Sequence, residues 1–160
     1  MKKLLFILPV FFFTLIFATC RKNPTPTYDF YFQCKINGQT YIPGLGNGLT
    51  CELLADTTLL LGGNLGYQAL GIGINDTTQI KVTTYILNEI IGRRGDYKNS
   101  TLTNDRYFTD ETHTGQLHIT TLDKTNKIIQ GTFYFKAYNS YRNDSISITD
   151  GKFRLHYITS

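Results

Sequence analysis

The stretch Thr114–Asn139, TGQLHITTLDKTNKIIQGTFYFKAYN, decides the fold of this 160-residue chain. Leu117, Ile119 and Thr121 alternate with His118 and Thr120, the period-2 pattern of a half-buried strand. Asp123-Lys124-Thr125-Asn126 then supplies turn chemistry, since short Asp and Asn side chains bond their own backbone. Beyond it Ile129, Gly131, Phe133, Phe135 and Ala137 share one phase, with Thr132, Tyr134, Lys136 and Tyr138 on the other. Two long alternating runs joined by a polar turn predict an antiparallel hairpin with one face in a core.

Working outward, the same pattern recurs. Tyr28, Phe30, Phe32, Cys34 and Ile36 alternate with polar residues up to Asn37-Gly38, a strong two-residue hairpin signal, and Gln39–Ile42 reads as the return strand. Leu53 and Leu59–Leu61 flank the turn residues Asp56-Thr57-Thr58. Leu70, Ile72 and Ile74 alternate with Ala69, Gly71 and Gly73, and Asn75-Asp76 leads to Gln79–Ile86, where Ile80, Val82, Thr84 and Ile86 share a phase. Ile146 and Ile148 form a short strand, and Asp150-Gly151 leads into Phe153, Leu155 and Tyr157. One short helix candidate, Leu87–Ile91, precedes a polar stretch, 92–114, read as a long loop with edge pairing near Tyr97 and Tyr107. The expected fold is all-β: an antiparallel β-sandwich or flattened barrel of about 8–10 short strands over residues 28–160.

The N-terminus reads as an address. Lys2-Lys3 precedes Leu4–Ala18, an apolar run shorter than the ~20 residues that span a bilayer, so residues 1–19 are expected to be an export signal. The run ends Phe17-Ala18-Thr19-Cys20, which resembles a bacterial lipobox with Phe and Thr at positions usually held by Leu and a smaller residue. Cys20 is therefore the expected lipidated N-terminus, and 20–27, with Pro24 and Pro26, an extended tether. Arg21 and Lys22 follow the cysteine where acidic residues would mark surface export, which favours the periplasmic side of an outer membrane.

Removing residues 1–19 leaves 14 Lys+Arg against 12 Asp+Glu and keeps all 11 tyrosines. A nearly neutral, tyrosine-rich domain is not a nucleic-acid binder, whose phosphate contacts need a basic surface. Cys34 and Cys51 remain, an even pair in an oxidising compartment; a disulfide or two buried free thiols are the alternatives. No metal-ligand spacing accompanies them, and no cofactor motif is present; the Gly71-Ile72-Gly73 run lies within a strand pattern. No nucleophile elbow, zinc-protease helix motif or Cys–His signature is present, so the expectation is a non-catalytic protein. His118 and His156 fall on the outward phase of their strands and read as solvated. Arg94-Gly95-Asp96 reads as a basic turn rather than an adhesion motif.

Two features carry binding or modification content. Tyr85, Tyr134 and Tyr138 lie on the polar phase of their strands and are candidates for an exposed binding face, because tyrosine offers an apolar ring and a hydroxyl at low entropic cost. Thr57, Thr77 and Ser145 follow aspartates at predicted turns and resemble bacterial O-glycosylation acceptors.

The segments CKINGQTYIP (34–43), LLLGGN (59–64), TGQLHITTLD (114–123), IIQGTFYFKA (128–137) and ITDGKFRLHY (148–157) together resemble small Bacteroidota-type outer-membrane lipoproteins of a domain family of unknown function, DUF6252-like. The resemblance implies an exported, lipid-anchored β-sandwich and carries no catalytic residues. The expected role is a lipid-anchored module that binds a glycan, peptide or envelope protein; the alternative is a structural or accessory subunit, and after it an enzyme of unrecognised type.

Overall fold

The computed structural model describes residues 29–44 and 48–160. Among the described residues, twelve strands form one mostly antiparallel sheet: β1 Tyr31–Ile36, β2 Gln39–Tyr41, β3 Leu49–Leu54, β4 Thr58–Leu65, β5 Gln68–Asn75, β6 Thr84–Leu87, β7 Arg93–Lys98, β8 Arg106–Phe108, β9 Gly115–Asp123, β10 Ile128–Asn139, β11 Asp144–His156 and β12 Ile158–Thr159. The sheet runs β12-β3-β4-β5-β7-β8-β10-β11-β1-β2, and β6 and β9 branch from β10. β10 makes the join. Its residues Ile128–Phe135 pair with β9, whereas Tyr138 pairs with Phe108 of β8. One long strand thus belongs to both layers, and the sheet folds over on itself around a single core.

The layers meet through inward side chains. Tyr41 of β2 meets Tyr97 of β7 edge-on at 6.4 Å and the Phe135 ring of β10 lies against Gly95 of β7, while within one layer Phe32 stacks on Phe133 at 5.1 Å. The Tyr41 hydroxyl donates to the Gly63 carbonyl of β4 at 2.6 Å, a side-chain bridge where the sheet does not close through its backbone. The all-β expectation holds. The strand number exceeds it; the pairing read near Tyr97 and Tyr107 is present as β7 and β8, which lie inside the sheet rather than at an edge.

Local chemistry explains the turns. Asn37 and Gly38 both have positive φ, 48° and 83°, as a type I′ hairpin requires, and Ile36 pairs with Gln39. Asp123 accepts from the backbone N–H groups of Thr125 and Asn126 at 3.0 and 2.9 Å, which fixes the β9–β10 turn. In β10 the predicted inward set is buried as expected, from Ile129 to Ala137.

Four local readings are corrected. Ile146–Ile148 and Phe153–Tyr157 are not separate strands: β11 runs through, with an extra residue at Thr149–Asp150 where Asp150 takes φ 54°. That bulge turns the inward phase from even to odd residues. Gln79–Ile86 is not one strand: the chain bends over residues 81–83, and β6 begins at Thr84. Ile80 is buried, yet from β6 onward it is Tyr85 and Leu87 that point inward. Leu87–Ile91 yields only a 3-10 turn over Ile90–Gly92. Arg94-Gly95-Asp96 lies inside β7, not in a turn.

The last correction has a packing cause. A Cβ on Gly95 would sit 2.9 Å from the Phe135 ring. Its N–H donates to Thr109 Oγ1 at 3.1 Å, and the Thr109 N–H returns to the Gly95 carbonyl at 2.9 Å. Gly95→Ala is therefore expected to destabilise the fold by about 1–3 kcal/mol through overpacking, measured by urea denaturation followed by circular dichroism.

Candidate functional site

The outer face of the layer β6-β9-β10-β11-β1 exposes polar and aromatic side chains at mid-strand. Strand register lines up side chains that the sequence scatters over about 120 positions. Thr84 pairs with His118, His118 with Thr132, Thr132 with Lys152, and Lys152 with Gln33, a polar row across five strands. The neighbouring row holds Ile86, Gln116 and Tyr134. Tyr134 is 51% exposed although it sits in the middle of the longest paired region.

A hollow of about 640 Å³ opens beside that ring, bounded by Gln116, His118, Thr132, Asp150 and Lys152. The bulge creates it. Gly151, on the inward phase, lies hard against the Phe133 carbonyl and ring, while Asp150 is turned outward and pairs with Lys35 at 2.9 Å. The wall is also braced: Thr84 Oγ1 and His118 Nδ1 are 2.9 Å apart. The hollow thus offers one aromatic face, an imidazole, an amide, a hydroxyl and an ammonium. This set can stack on the apolar side of a ring and bond its polar edge.

Tyr138 lies on the same outward phase four residues along β10, a rise of about 13 Å. It is half-buried, because His113 stacks on it at 4.8 Å with planes 6° apart. Its hydroxyl donates to Asn143 Oδ1 at 2.6 Å. A second groove, about 310 Å³, borders it with Phe108, Arg106, Asp110 and Tyr141. Asp110 is held down to about 2: burial opposes ionisation, but hydrogen bonds from the backbone and side chains of His113 and Thr112 outweigh it. This carboxylate therefore adds stability above its ordinary value of 3.8, and the contribution is lost as pH falls toward 2.

Tyr85 does not join this face. It is 2% exposed and packs in the core, its hydroxyl accepting from the Lys81 N–H at 3.0 Å, with Arg93 over its ring at 5.3 Å. The bend at residues 81–83 is the physical reason, since it exchanges the inward and outward phases.

The disulfide reading is also corrected. Cys34 and Cys51 are buried free thiols, each pointing into the core, Cys34 from β1 and Cys51 from β3. Burial pushes both up to about 12, from an ordinary 9.0. Below pH 9 both folded and unfolded thiols keep their protons; above it the unfolded chain ionises first, so stability falls as pH rises from 9 toward 12. Neither thiol is expected to react with a soluble disulfide reagent until urea unfolds the protein, when both should. Reaction in native buffer, or an intact mass two hydrogens short, contradicts this.

Of the modification candidates, Thr77 and Ser145 are exposed and Thr57 is half-buried in the β3–β4 turn. Asp76, beside Thr77, accepts from the Thr78 N–H at 3.1 Å and from Arg93 at 2.7 Å, so that loop is pinned at its base. Cys20 and the signal and tether readings lie outside the described residues. His118 and His156 are exposed as expected, His156 meeting Phe30 edge-on at 6.2 Å. Gln116, Thr132 and Lys152 are not singled out by sequence, although their outward phase is readable; only the register brings them together.

A family model described as a domain of unknown function (DUF6252) matches residues 28–155, which spans the chain from the first strand nearly to the end of β11. The chain belongs to this family. No curated protein and no solved structure matches it. In this DUF6252 domain the hollow, the bulge and both tyrosines of β10 all fall within the matched residues.

Proposed function

We propose that this protein is a non-catalytic binding module, held to the cell envelope by lipid on Cys20, that takes a glycan chain along the outer face of β10. The observation that carries the reading is the half-exposed Tyr134 ring beside the bulge hollow, bordered by hydrogen-bonding side chains of four strands. A sugar has an apolar ring face and an equatorial rim of hydroxyls. Tyr134 meets the first; Gln116, His118 and Lys152 meet the second. Tyr138, about 13 Å further on, offers an edge to a later residue of the same chain, which favours a polymer over a single sugar.

Mixed charge supports a neutral ligand. Lys152 and Asp150 both border the hollow, so neither sign prevails. The periplasmic side of the outer membrane is the proposed location, from the basic residues after Cys20. A glycan array probed with the purified protein tests the reading. Retention on neutral polysaccharides is the expected result; retention on none, with capture of envelope proteins instead, would move the function to an accessory subunit.

A further inference from the structure

A second hollow of about 300 Å³ opens where the two layers meet, at the end of the molecule that carries the Asn37-Gly38 hairpin. Its floor is built by Tyr41 of β2, Tyr97 of β7 and Tyr107 of β8, with Tyr97 6.4 Å from Tyr41 and 6.2 Å from Tyr107. These rings are buried, at 2–4% exposure, so it is their polar ends that matter here. The Gln68 side-chain amide donates to the Tyr97 hydroxyl at 2.9 Å and to Asn99 Oδ1 at 3.2 Å, and the Tyr97 hydroxyl donates to the same Oδ1 at 3.0 Å. Tyr107 and Asp144 both line the pocket, and burial together with the carboxylates of Asp144 and Asp105 pushes the Tyr107 hydroxyl up, against the pull of Arg142. Gln39 and Thr40 complete the rim.

Three properties narrow the ligand. Gln68, Tyr97 and Asn99 are locked to one another, so they are preorganised, and immobilising them costs a ligand little. They include donors and acceptors together, among them the planar groups of Gln68, Asn99 and Asp144. Among the described residues no Lys or Arg borders the cavity, and its one charge is the Asp144 carboxylate. Anions are disfavoured by that charge, and the size suits a small polar ring.

We infer that this end pocket binds a single neutral sugar residue, with Asn99 and Gln68 bonding its hydroxyls and Asp144 accepting from one of them. The pocket is separate from the outer face of β10 and shares no residue with it, so this inference stands whether or not that face binds a glycan.

Saturation-transfer NMR on the purified protein tests it, with D-glucose, D-galactose, D-mannose and N-acetyl-D-glucosamine as the probes. At least one is expected to bind with Kd on the order of 1 mM. Asn99 is exposed at the rim, so Asn99→Ala leaves the core intact, and it should raise that Kd about tenfold, the value of one or two hydrogen bonds. Tyr107→Phe, which removes only a hydroxyl, should weaken binding in the same direction, with melting curves confirming that both variants fold. Binding of none of these sugars, or binding equal in wild type, Asn99→Ala and Tyr107→Phe, overturns the proposal; loss in Tyr134→Ala alone places the sugar on the outer face and overturns it too.

Discussion

Phe135→Ala is expected to cost about 3–5 kcal/mol of stability, the largest effect of any single substitution considered for this protein. Phe135 is 1% exposed and lies on β10 at the point where that strand passes from one layer to the other. Its backbone pairs with Gly115 of β9, and its ring reaches Gly95 of β7 in the opposite layer. Both neighbours are glycines because the ring and backbone leave no room for a Cβ. Neither neighbour therefore has a side chain able to swing into the vacated space. Partial collapse is what lowers the cost of a large-to-small change, and here the rigid pairing on both sides opposes it. Phe133, centred 6.5 Å away, is itself held by Phe32 and Phe153. Urea denaturation followed by far-ultraviolet circular dichroism measures the change; the chain has no tryptophan to report by fluorescence. A cost below about 1 kcal/mol would mean that the layers do not depend on this ring.

Tyr134→Ala is expected to leave the fold intact and to weaken glycan binding at least about tenfold, equivalent to 1.4 kcal/mol. Aromatic stacking contributes about 0.5–1.5 kcal/mol beyond the area it covers, and the apolar area itself adds to this. Tyr134 and Phe135 are neighbours in sequence with opposite phases, so the pair separates the two roles of β10. One residue holds the layers together. The other faces solvent. Unchanged melting with lost binding in Tyr134→Ala, set against lowered melting in Phe135→Ala, is the pattern this division requires.

Much of that division is legible in the sequence itself. In β10 the alternation runs unbroken for ten residues, so inward and outward sets can be read directly, and Tyr134 and Tyr138 fall on the outward phase in sequence and structure alike. Turns marked by Asn37-Gly38 and by Asp123 are legible because their residues act locally, through positive φ or through bonds to nearby amides. Tyr85 is not, because alternation carries no record of where a chain bends. Bending over three residues, 81–83, exchanges the faces of the strand that follows. The bulge at Asp150 has the same effect within β11 and makes one strand look like two. Arg94-Gly95-Asp96 misleads for a different reason: its glycine serves the Phe135 ring, a contact 40 positions away.

The hollow beside Tyr134 lies beyond sequence altogether. Gln116, Thr132 and Lys152 each look like an ordinary outward residue, and what makes them a set is register across three antiparallel strands. The same holds for Tyr41, Tyr97 and Tyr107 at the end pocket, drawn from strands β2, β7 and β8. For Cys34 and Cys51, compartment and parity point to a bond, whereas the burial of both thiols in the core matches the alternative.

Affinity electrophoresis tests the central claim most directly, with wild type and Tyr134→Ala run in native gels cast with neutral polysaccharides. Retardation of the wild type in at least one gel, with Tyr134→Ala migrating as in a gel without polysaccharide, is the result expected. Wild type unretarded in every gel, or both proteins retarded alike, would contradict a glycan-binding face on β10.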